Sequence, residues 1–550
     1  MQYVSCRDGS PTLAGRRKYT FEQAIFSGWA EDGGMIMPAC VPLLSASQLK
    51  ALSTASYPVL CYEVMRLFIS DSEVCDSALR AIILEQAFVR FGTEEVVAMR
   101  KNVAHSNVHV CELWHGPTLA FKDLGMQVLA CLIQFFLARN GDVLNLLVGT
   151  SGDTGSSAIE AVRGLPNVSI TVLYPKNRGI SKLQELQMTT VGEIEPRVTV
   201  FGVDGSSDDL DVPIEKVFGD VSFRTANRVG SMNSVNICRI LVQVVHFFWA
   251  YFQVRSKDDS CPVMFSVPTG ACGHITAGAI ARAMGLPIQL HAATNQNDIV
   301  HRLVSSGTTR QSECSAEGSR VDDAAAATPR IAVTNTLSPS MDILMPYNVE
   351  RLLFLAHGGA VAPSCAAEAA EAMKRFKSTG QLTLSSTMHQ NLRFVLGLTT
   401  SRTTDAECAT TIRRVYSSTS STSGGFGYVI DPHTAVGVHA AIKVLAPSRP
   451  RQPVVCIACA HPAKFAETIR SSLNVKGWEW LSPDDRAHPH VKNLLRLEGA
   501  PAVSLDLKRG DDWESLLRHH LQRVMETMSR TSLDKHNLAT TAKGHLRSKL

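Results

Sequence analysis

At roughly 150 residues per folding unit, a chain of 550 residues has room for about three or four units. Hydrophobic residues make up 45% of it and charged residues 19%, which excludes a mainly disordered chain. The 54 Lys+Arg and 50 Asp+Glu leave a net charge of +4 with no polybasic run, so nothing points to nucleic acid.

Residues 1–105 read as helical segments joined by loops, with an amphipathic helix over Phe21–Phe26 and a turn at Asp32-Gly33-Gly34. The segment Met1–Asp8 lacks the basic-then-apolar pattern of a signal peptide. The fourteen cysteines are scattered, many in apolar stretches, as reduced buried thiols are. Both features predict a reducing compartment.

From about residue 106, short β-branched strands alternate with longer helical stretches. A helix is predicted over Leu124–Ala138 and a strand over Leu144–Val148, followed by a Gly-rich turn and a helix from about Ser156. Strands follow at Val168–Tyr174 and Val198–Val203, with helices around Lys182–Met188 and Asp211–Phe218. Ile240–Val254 is apolar apart from Gln243, His246 and Gln253, and is flanked by Arg239 and Arg255. It is too short to span a bilayer and predicts a buried core helix. Met264–Val267, Gln289–Ala293 and Val454–Ala458 continue the strands, and the alternation predicts an α/β fold with a mostly parallel sheet. Ser305–Arg330, with its Ala324–Ala327 run, predicts a surface insertion, and Tyr416–Gly425 a polar loop. There is no internal repeat.

Two Gly-rich turns lie at the carboxyl ends of predicted strands, where open α/β sheets bind ligands. Gly149-Thr150-Ser151-Gly152-Asp153-Thr154-Gly155 brings backbone N–H groups and hydroxyls to a helix N-terminus, suiting a carboxylate or phosphate. Pro268-Thr269-Gly270-Ala271-Cys272-Gly273-His274 has two glycines that let the backbone close on a phosphate. Neither matches the dinucleotide or Walker pattern, and each reads equally as an ordinary helix cap. The third feature is Lys122, set among apolar neighbours in Glu112–Asp123. A partly desolvated lysine suits a Schiff base with a carbonyl cofactor, while a lysine beside Asp123 also reads as a surface residue. Cys456-Ile457-Ala458-Cys459 is a C-x-x-C, but on a predicted core strand and without a second cysteine pair the spacing reads as accidental.

Together these segments resemble threonine synthase and the threonine-synthase-like proteins, enzymes that use pyridoxal 5'-phosphate (PLP) on the tryptophan-synthase β fold. The resemblance runs through Phe26-Ser27-Gly28, Asp32-Gly33-Gly34, the Lys122 segment, Thr150–Gly155 and Ile180–Glu185. It continues through Met232–Arg239, Ala293–Asp298, Ser338–Ile343, Asp431–Val436 and Ala460–Phe465. It implies a fold type II PLP enzyme with four parts: an N-terminal domain (1–105), a large PLP-binding domain (106–150 and 230–465), a smaller carboxylate-binding domain (151–229) and a C-terminal extension (466–550).

Carried over residue by residue, the resemblance makes Lys122 the lysine that carries PLP and the catalytic base, with Phe121 near the ring. Gly270, Ala271, Cys272 and Gly273 cradle the cofactor phosphate, and Cys459 stands where a threonine usually bonds the pyridine nitrogen. Thr150, Ser151, Gly152, Asp153 and Thr154 take the substrate carboxylate. Lys182, Asn236 and Arg239 are candidates for the substrate phosphate, and each also reads as a surface or capping residue. His115 reads as a proton-transfer group or as a core histidine fixing its turn. No metal is implied.

The implied reaction converts O-phosphohomoserine and water to threonine and phosphate, in a monomer or homodimer without membrane or nucleic-acid partners. Two departures bear on it. The phosphate loop usually reads Gly-Asn-Phe-Gly, where this chain has Ala271 and Cys272, and a thiol stands at position 459. The alternatives are a threonine-synthase-like phospholyase giving 2-oxobutyrate, ammonia and phosphate, and a PLP-binding interaction protein without turnover. The terminal Ser548-Lys549-Leu550 matches the address read by the peroxisomal import receptor, which predicts a peroxisome or glycosome-like organelle.

Overall fold

The computed structural model describes residues 1–10, 14–93, 95–150, 152–176, 179–191, 195–205, 207–255, 261–310, 333–358, 363–420, 426–445 and 452–529. Ser151, residues 311–330 of the expected insertion, residues 421–425 of the expected polar loop, and Ser548-Lys549-Leu550 lie outside them. The chain divides into two compact units. One comprises Met1–Val128 with Ser234–Arg496; the other comprises Leu129–Asn233 and the segment from Leu497 onward. The expected N-terminal segment 1–105 lies within the first unit, and residues 497–529 of the expected extension lie within the second.

The first unit is built on a six-stranded sheet. Its strands run in the order Leu398–Arg402, Ile288–Thr294, Val263–Pro268, Val454–Ala458, Val108–Glu112 and Ala98–Arg100. All are parallel except the last. Val263–Pro268 and Val454–Ala458 are buried at every residue, as a parallel sheet covered on both faces requires. The predicted core helix is present as Ile237–Val254, buried from Ile237 to Tyr251. It packs on helix Gly273–Ala283, and a Cβ at Gly278 would lie 2.8 Å from Phe247, so this approach needs a glycine. The antiparallel pair Tyr3–Ser5 and Ile36–Pro38 is fastened by Arg351. That fully buried guanidinium donates to the carbonyls of Ile36, Ser234 and Val235 and to Asn348 Oδ1.

The second unit carries a five-stranded parallel sheet, ordered Leu505–Leu507, Val198–Val203, Val168–Pro175, Leu144–Gly149 and Val229–Gly230. The C-terminal segment thus supplies an edge strand, reinforced by Lys176–Asp506 at 2.7 Å and by Asn145 Nδ2 donating to the Leu521 carbonyl.

The expected polar loop needs correction. Tyr416–Ser420 is the last turn of helix Asp405–Ser420. Ile412 and Val415 bury one face of that helix, and its hydroxyls fold back onto the preceding turn, as in Thr419 Oγ1 to Val415 O at 2.8 Å. Likewise Ser305 and Ser306 end helix Ile299–Ser306 and do not begin an insertion.

Candidate active site

Lys122 begins helix Lys122–Asn140, ten residues beyond the carboxyl end of strand Val108–Glu112. The connecting turn is tightly specified. Leu119 takes a left-handed conformation with φ 60°, a strained state for a residue with a Cβ. The buried Asp123 carboxylate accepts from Thr118 N at 2.8 Å and Thr118 Oγ1 at 2.6 Å. A Cβ at Gly116 would lie 2.5 Å from Asp123 Cβ, so only glycine fits there. The fully buried Lys464 donates to the Thr118 carbonyl at 2.8 Å. Phe121 N donates to the Cys459 carbonyl at 2.8 Å and His461 N to the Leu119 carbonyl at 3.0 Å. Lys122, Phe121 and Cys459 are therefore neighbours, at the carboxyl ends of two paired strands.

The Gly270–Gly273 turn leaves the adjoining part of the same sheet, after Val263–Pro268. Cys272 is left-handed, with φ 61°, and occupies the N-cap of helix Gly273–Ala283, whose first turn carries no acidic residue. The first N–H groups and the helix dipole suit this end to an anion. Gly270 closes against Met341, whose Cα would be 3.0 Å from an added Cβ. Asn348 supports the turn, its side-chain amide donating to the Ala271 carbonyl at 3.0 Å. Arg351 in turn fixes the Asn348 oxygen at 2.7 Å.

Phe121 connects the two features. Its ring stacks on the His274 imidazole with centroids 5.3 Å apart and planes 13° apart, and Lys122 Nζ lies 5.0 Å from the Phe121 centroid. A half-buried primary amine is therefore linked through the Phe121 ring to His274, in the first turn of helix Gly273–Ala283. A phosphorylated aldehyde fits that pair of groups: the amine suits its carbonyl and the N–H turn its phosphate.

The 149–155 turn belongs to the second unit. Thr150 Oγ1 accepts from Gly152 N and Gly155 N, both at 3.0 Å, so the hydroxyl shapes the turn. Gly152 has φ 149° and ψ −112°, a conformation open to glycine, and the buried Asp153 accepts from Gln184 Nε2 at 2.8 Å. Thr154 lies in the first turn of helix Asp153–Val162. Lys182 is exposed and pairs with Glu185 at 2.7 Å.

Asn236 and Arg239 lie in the first unit. Asn236 is buried and caps helix Ile237–Val254, accepting from Cys238 N at 3.2 Å and donating to the Ile25 carbonyl at 2.7 Å. Arg239 is buried on the same helix, and burial brings its guanidinium down to about 10. His115 bonds Glu112 Oε2 at 3.0 Å, inside a cavity of about 90 Å³ also lined by Tyr428, His461 and His488. Burial alone would raise the Glu112 carboxyl, but His115, Arg100 and Tyr428 together hold it below its ordinary value. Cys456 and Cys459 are free buried thiols, three residues apart along an extended segment, a spacing that turns side chains to opposite faces.

Three contributors escaped the sequence reading. His274 stood inside the quoted turn without a role, and only its stacking reveals one. Asn348 lies 77 residues from the carbonyl it holds, and Lys464 lies 346 residues from its own. No local pattern carries such pairings.

Residues 2–88 match the family model described as threonine synthase N terminus, and residues 434–506 match threonine synthase, C-terminal. Threonine synthase-like 2 of Xenopus laevis is 38% identical over 526 residues, covering 96% of this chain and 99% of that protein. The crystal structure of threonine synthase from yeast superposes with a TM-score of 0.81 at 32% identity, covering 96% of this chain and 99% of the yeast chain. A PLP-bound threonine synthase from Brucella melitensis gives a TM-score of 0.77 at 32% identity, with the same coverages. The mostly parallel sheets, the N-terminal segment and these matches over nearly the whole length agree: the chain belongs to the threonine synthase family and has its fold type II architecture.

Proposed function

We propose that this chain is a PLP-dependent lyase that converts O-phosphohomoserine and water to threonine and phosphate, with Lys122 as the residue that takes the cofactor. The observation that carries the reading is the Phe121–His274 stack, which connects the residue before Lys122 to the first turn of helix Gly273–Ala283. The PLP-bound Brucella structure supports the cofactor assignment. When bound, PLP supplies the electron sink that makes the substrate Cα–H acidic.

The remaining work falls to the chain. Gly270–Gly273 presents backbone N–H groups, so Ala271 and Cys272 meet the demand for phosphate binding without polar side chains. Lys122 Nζ is the base that would accept the substrate Cα proton and return it. To the turn that Thr150 Oγ1 shapes, where helix Asp153–Val162 begins, we assign the substrate carboxylate, and Arg239 is the cation we assign to the departing phosphate.

A second reading is favoured by the 38% identity to threonine synthase-like 2: phosphate elimination followed by hydrolysis to 2-oxobutyrate and ammonia. Purified protein incubated with O-phosphohomoserine and assayed in parallel for threonine, 2-oxobutyrate and phosphate decides between them. Threonine matching the phosphate released is the expected result. 2-Oxobutyrate without threonine would overturn the product assignment and keep the lyase. No phosphate release, from protein whose Lys122 is labelled by PLP and borohydride, would support the non-catalytic alternative.

A further inference from the structure

His246 and His274 form a pair that the proposed chemistry does not use. His246 Nδ1 and His274 Nε2 are 3.0 Å apart, and the two side chains are buried, His246 completely. Burial drives His274 down to about 3 and His246 well below its ordinary value, so the pair is neutral near pH 7, with one N–H shared between the two facing nitrogens.

The arrangement carries a cost. His246 Nε2 and the Tyr57 hydroxyl, on rings whose centroids are 6.0 Å apart, are buried and find no hydrogen-bond partner among the described residues. Apolar side chains in the same places would avoid that desolvation. Around them the helix is otherwise core: Phe247 packs edge-on to His274 with centroids 5.3 Å apart, and Ile240, Leu241, Val244 and Val245 are fully buried. A hydrogen bond between two rings does one thing that apolar packing does not: it fixes the plane of the His274 imidazole. That plane is the one on which Phe121 lies, 13° from parallel, and Phe121 immediately precedes Lys122.

We propose that His274 is a positioning residue, locked by His246, whose ring orients Phe121 and through it sets the Lys122 amine against the Gly270–Gly273 turn. This rests on the assignment of Lys122 as the PLP-bearing lysine. His274 acts here through its side chain, while its position in the first turn of the helix also serves the anion site.

Three variants test it, each purified with PLP: His274→Ala, which removes the ring; His274→Phe, which keeps a ring for Phe121; and His246→Gln, which alters the lock. The readouts are visible circular dichroism of the cofactor band, the fraction of PLP fixed to Lys122 by borohydride, and kcat and KM separately. Misplacing a reacting group by about 1 Å costs on the order of 100-fold. His274→Ala is therefore expected to lower kcat roughly 100-fold with KM within about twofold. It should also flatten the cofactor circular dichroism while far-ultraviolet circular dichroism stays native. His274→Phe should recover most of both losses, and His246→Gln should fall between.

Wild-type kcat and cofactor dichroism in His274→Ala would overturn the inference, as would equal damage in the Ala and Phe variants. If His274→Ala does not fold, Phe121→Leu cuts the same stack from the other side and is judged by the same two readouts. Failure of the wild-type chain to fix PLP on Lys122 would instead overturn the functional reading beneath it.

Discussion

Gly116→Ala tests whether the turn before Lys122 is as constrained as its geometry indicates. The new Cβ would sit 2.5 Å from Asp123 Cβ and 2.6 Å from Asp123 Oδ2. Carbon atoms in contact prefer roughly 3.5–4.0 Å, so one side must retreat by about 1 Å. The Asp123 carboxylate is not free to swing, being held by Thr118 N at 2.8 Å and Thr118 Oγ1 at 2.6 Å. The Thr118 carbonyl is itself held by the buried Lys464. The displacement therefore passes along the chain to Lys122, the residue immediately before Asp123. Overpacking of this kind costs about 1–3 kcal/mol, and a 1 Å error at a reacting group costs on the order of 100-fold in rate. The variant should melt a few degrees lower, on the order expected for that free energy, and lose roughly 100-fold in kcat. Borohydride labelling of Lys122 by PLP should fall with it. Gly219→Ala is the control, because an added Cβ there meets nothing within 4 Å. Wild-type melting, labelling and turnover in Gly116→Ala would refute the idea that this turn positions the lysine.

Gly152→Ala should damage the other turn, since φ 149° is open to glycine and the new Cβ would meet Gln184 Nε2 at 2.8 Å. Strain of about 1–3 kcal/mol is expected, read as a raised KM for O-phosphohomoserine with PLP labelling of Lys122 unchanged; an unaltered KM would count against a carboxylate role for this turn. Acid should weaken the fold through its buried histidines. His274 and His461 are held at about 3 by burial, whereas in the unfolded chain a histidine titrates near 6.5. The unfolded state then binds the extra protons, so the stability held above about pH 6.5 drains away as pH falls toward 3. Each histidine contributes a loss of about 2 kcal/mol by pH 5, and a urea midpoint that is the same at pH 7.5 and pH 5 would contradict the burial argument.

Much of the scaffold was legible because a parallel sheet advertises itself. Val454–Ala458 is buried on both faces and reads as an unbroken apolar run, and Val168–Pro175 and Val263–Pro268 are buried throughout and broken only by Ser169, Thr171 and Ser266. Strands that face polar surroundings gave no such signal. Leu398-Thr399-Thr400-Ser401-Arg402 is an edge strand with one buried residue, and Leu505–Leu507 is three residues long and mostly exposed. Val108–Glu112 was hidden by the charge at its end, because Glu112 is buried only with His115 and Arg100 as partners. Helix Asp405–Ser420 was misread in its last turn because a Ser/Thr run looks like a loop unless its hydroxyls are seen bonding the preceding carbonyls. At the proposed site, Lys122 and both Gly-rich turns were noticeable as local chemistry. Their supports were not: Phe121 meets His274, and Lys464 meets Thr118, only through the fold.

The departures in the phosphate turn take on a different weight once its supports are known. In sequence, Ala271 looks like a lost amide, since the family usually places asparagine there. In the structure an asparagine amide does serve this turn, supplied by Asn348, which donates to the Ala271 carbonyl from its backbone N at 3.3 Å and its side chain at 3.0 Å. Arg351 holds the Asn348 oxygen, so that amide is oriented with its N–H toward the turn, and burial of the guanidinium commits it to this task and to the carbonyls around it. With the Ala271 carbonyl fixed from behind and Cys272 turned left-handed, the next N–H groups are left at the head of helix Gly273–Ala283. An anion site made this way depends on backbone direction, and backbone direction is set by Gly270, Cys272 and Asn348, not by the side chain at 271. The substitution is therefore compatible with phosphate binding, so the loss of the asparagine at 271 does not by itself weigh against the proposed function.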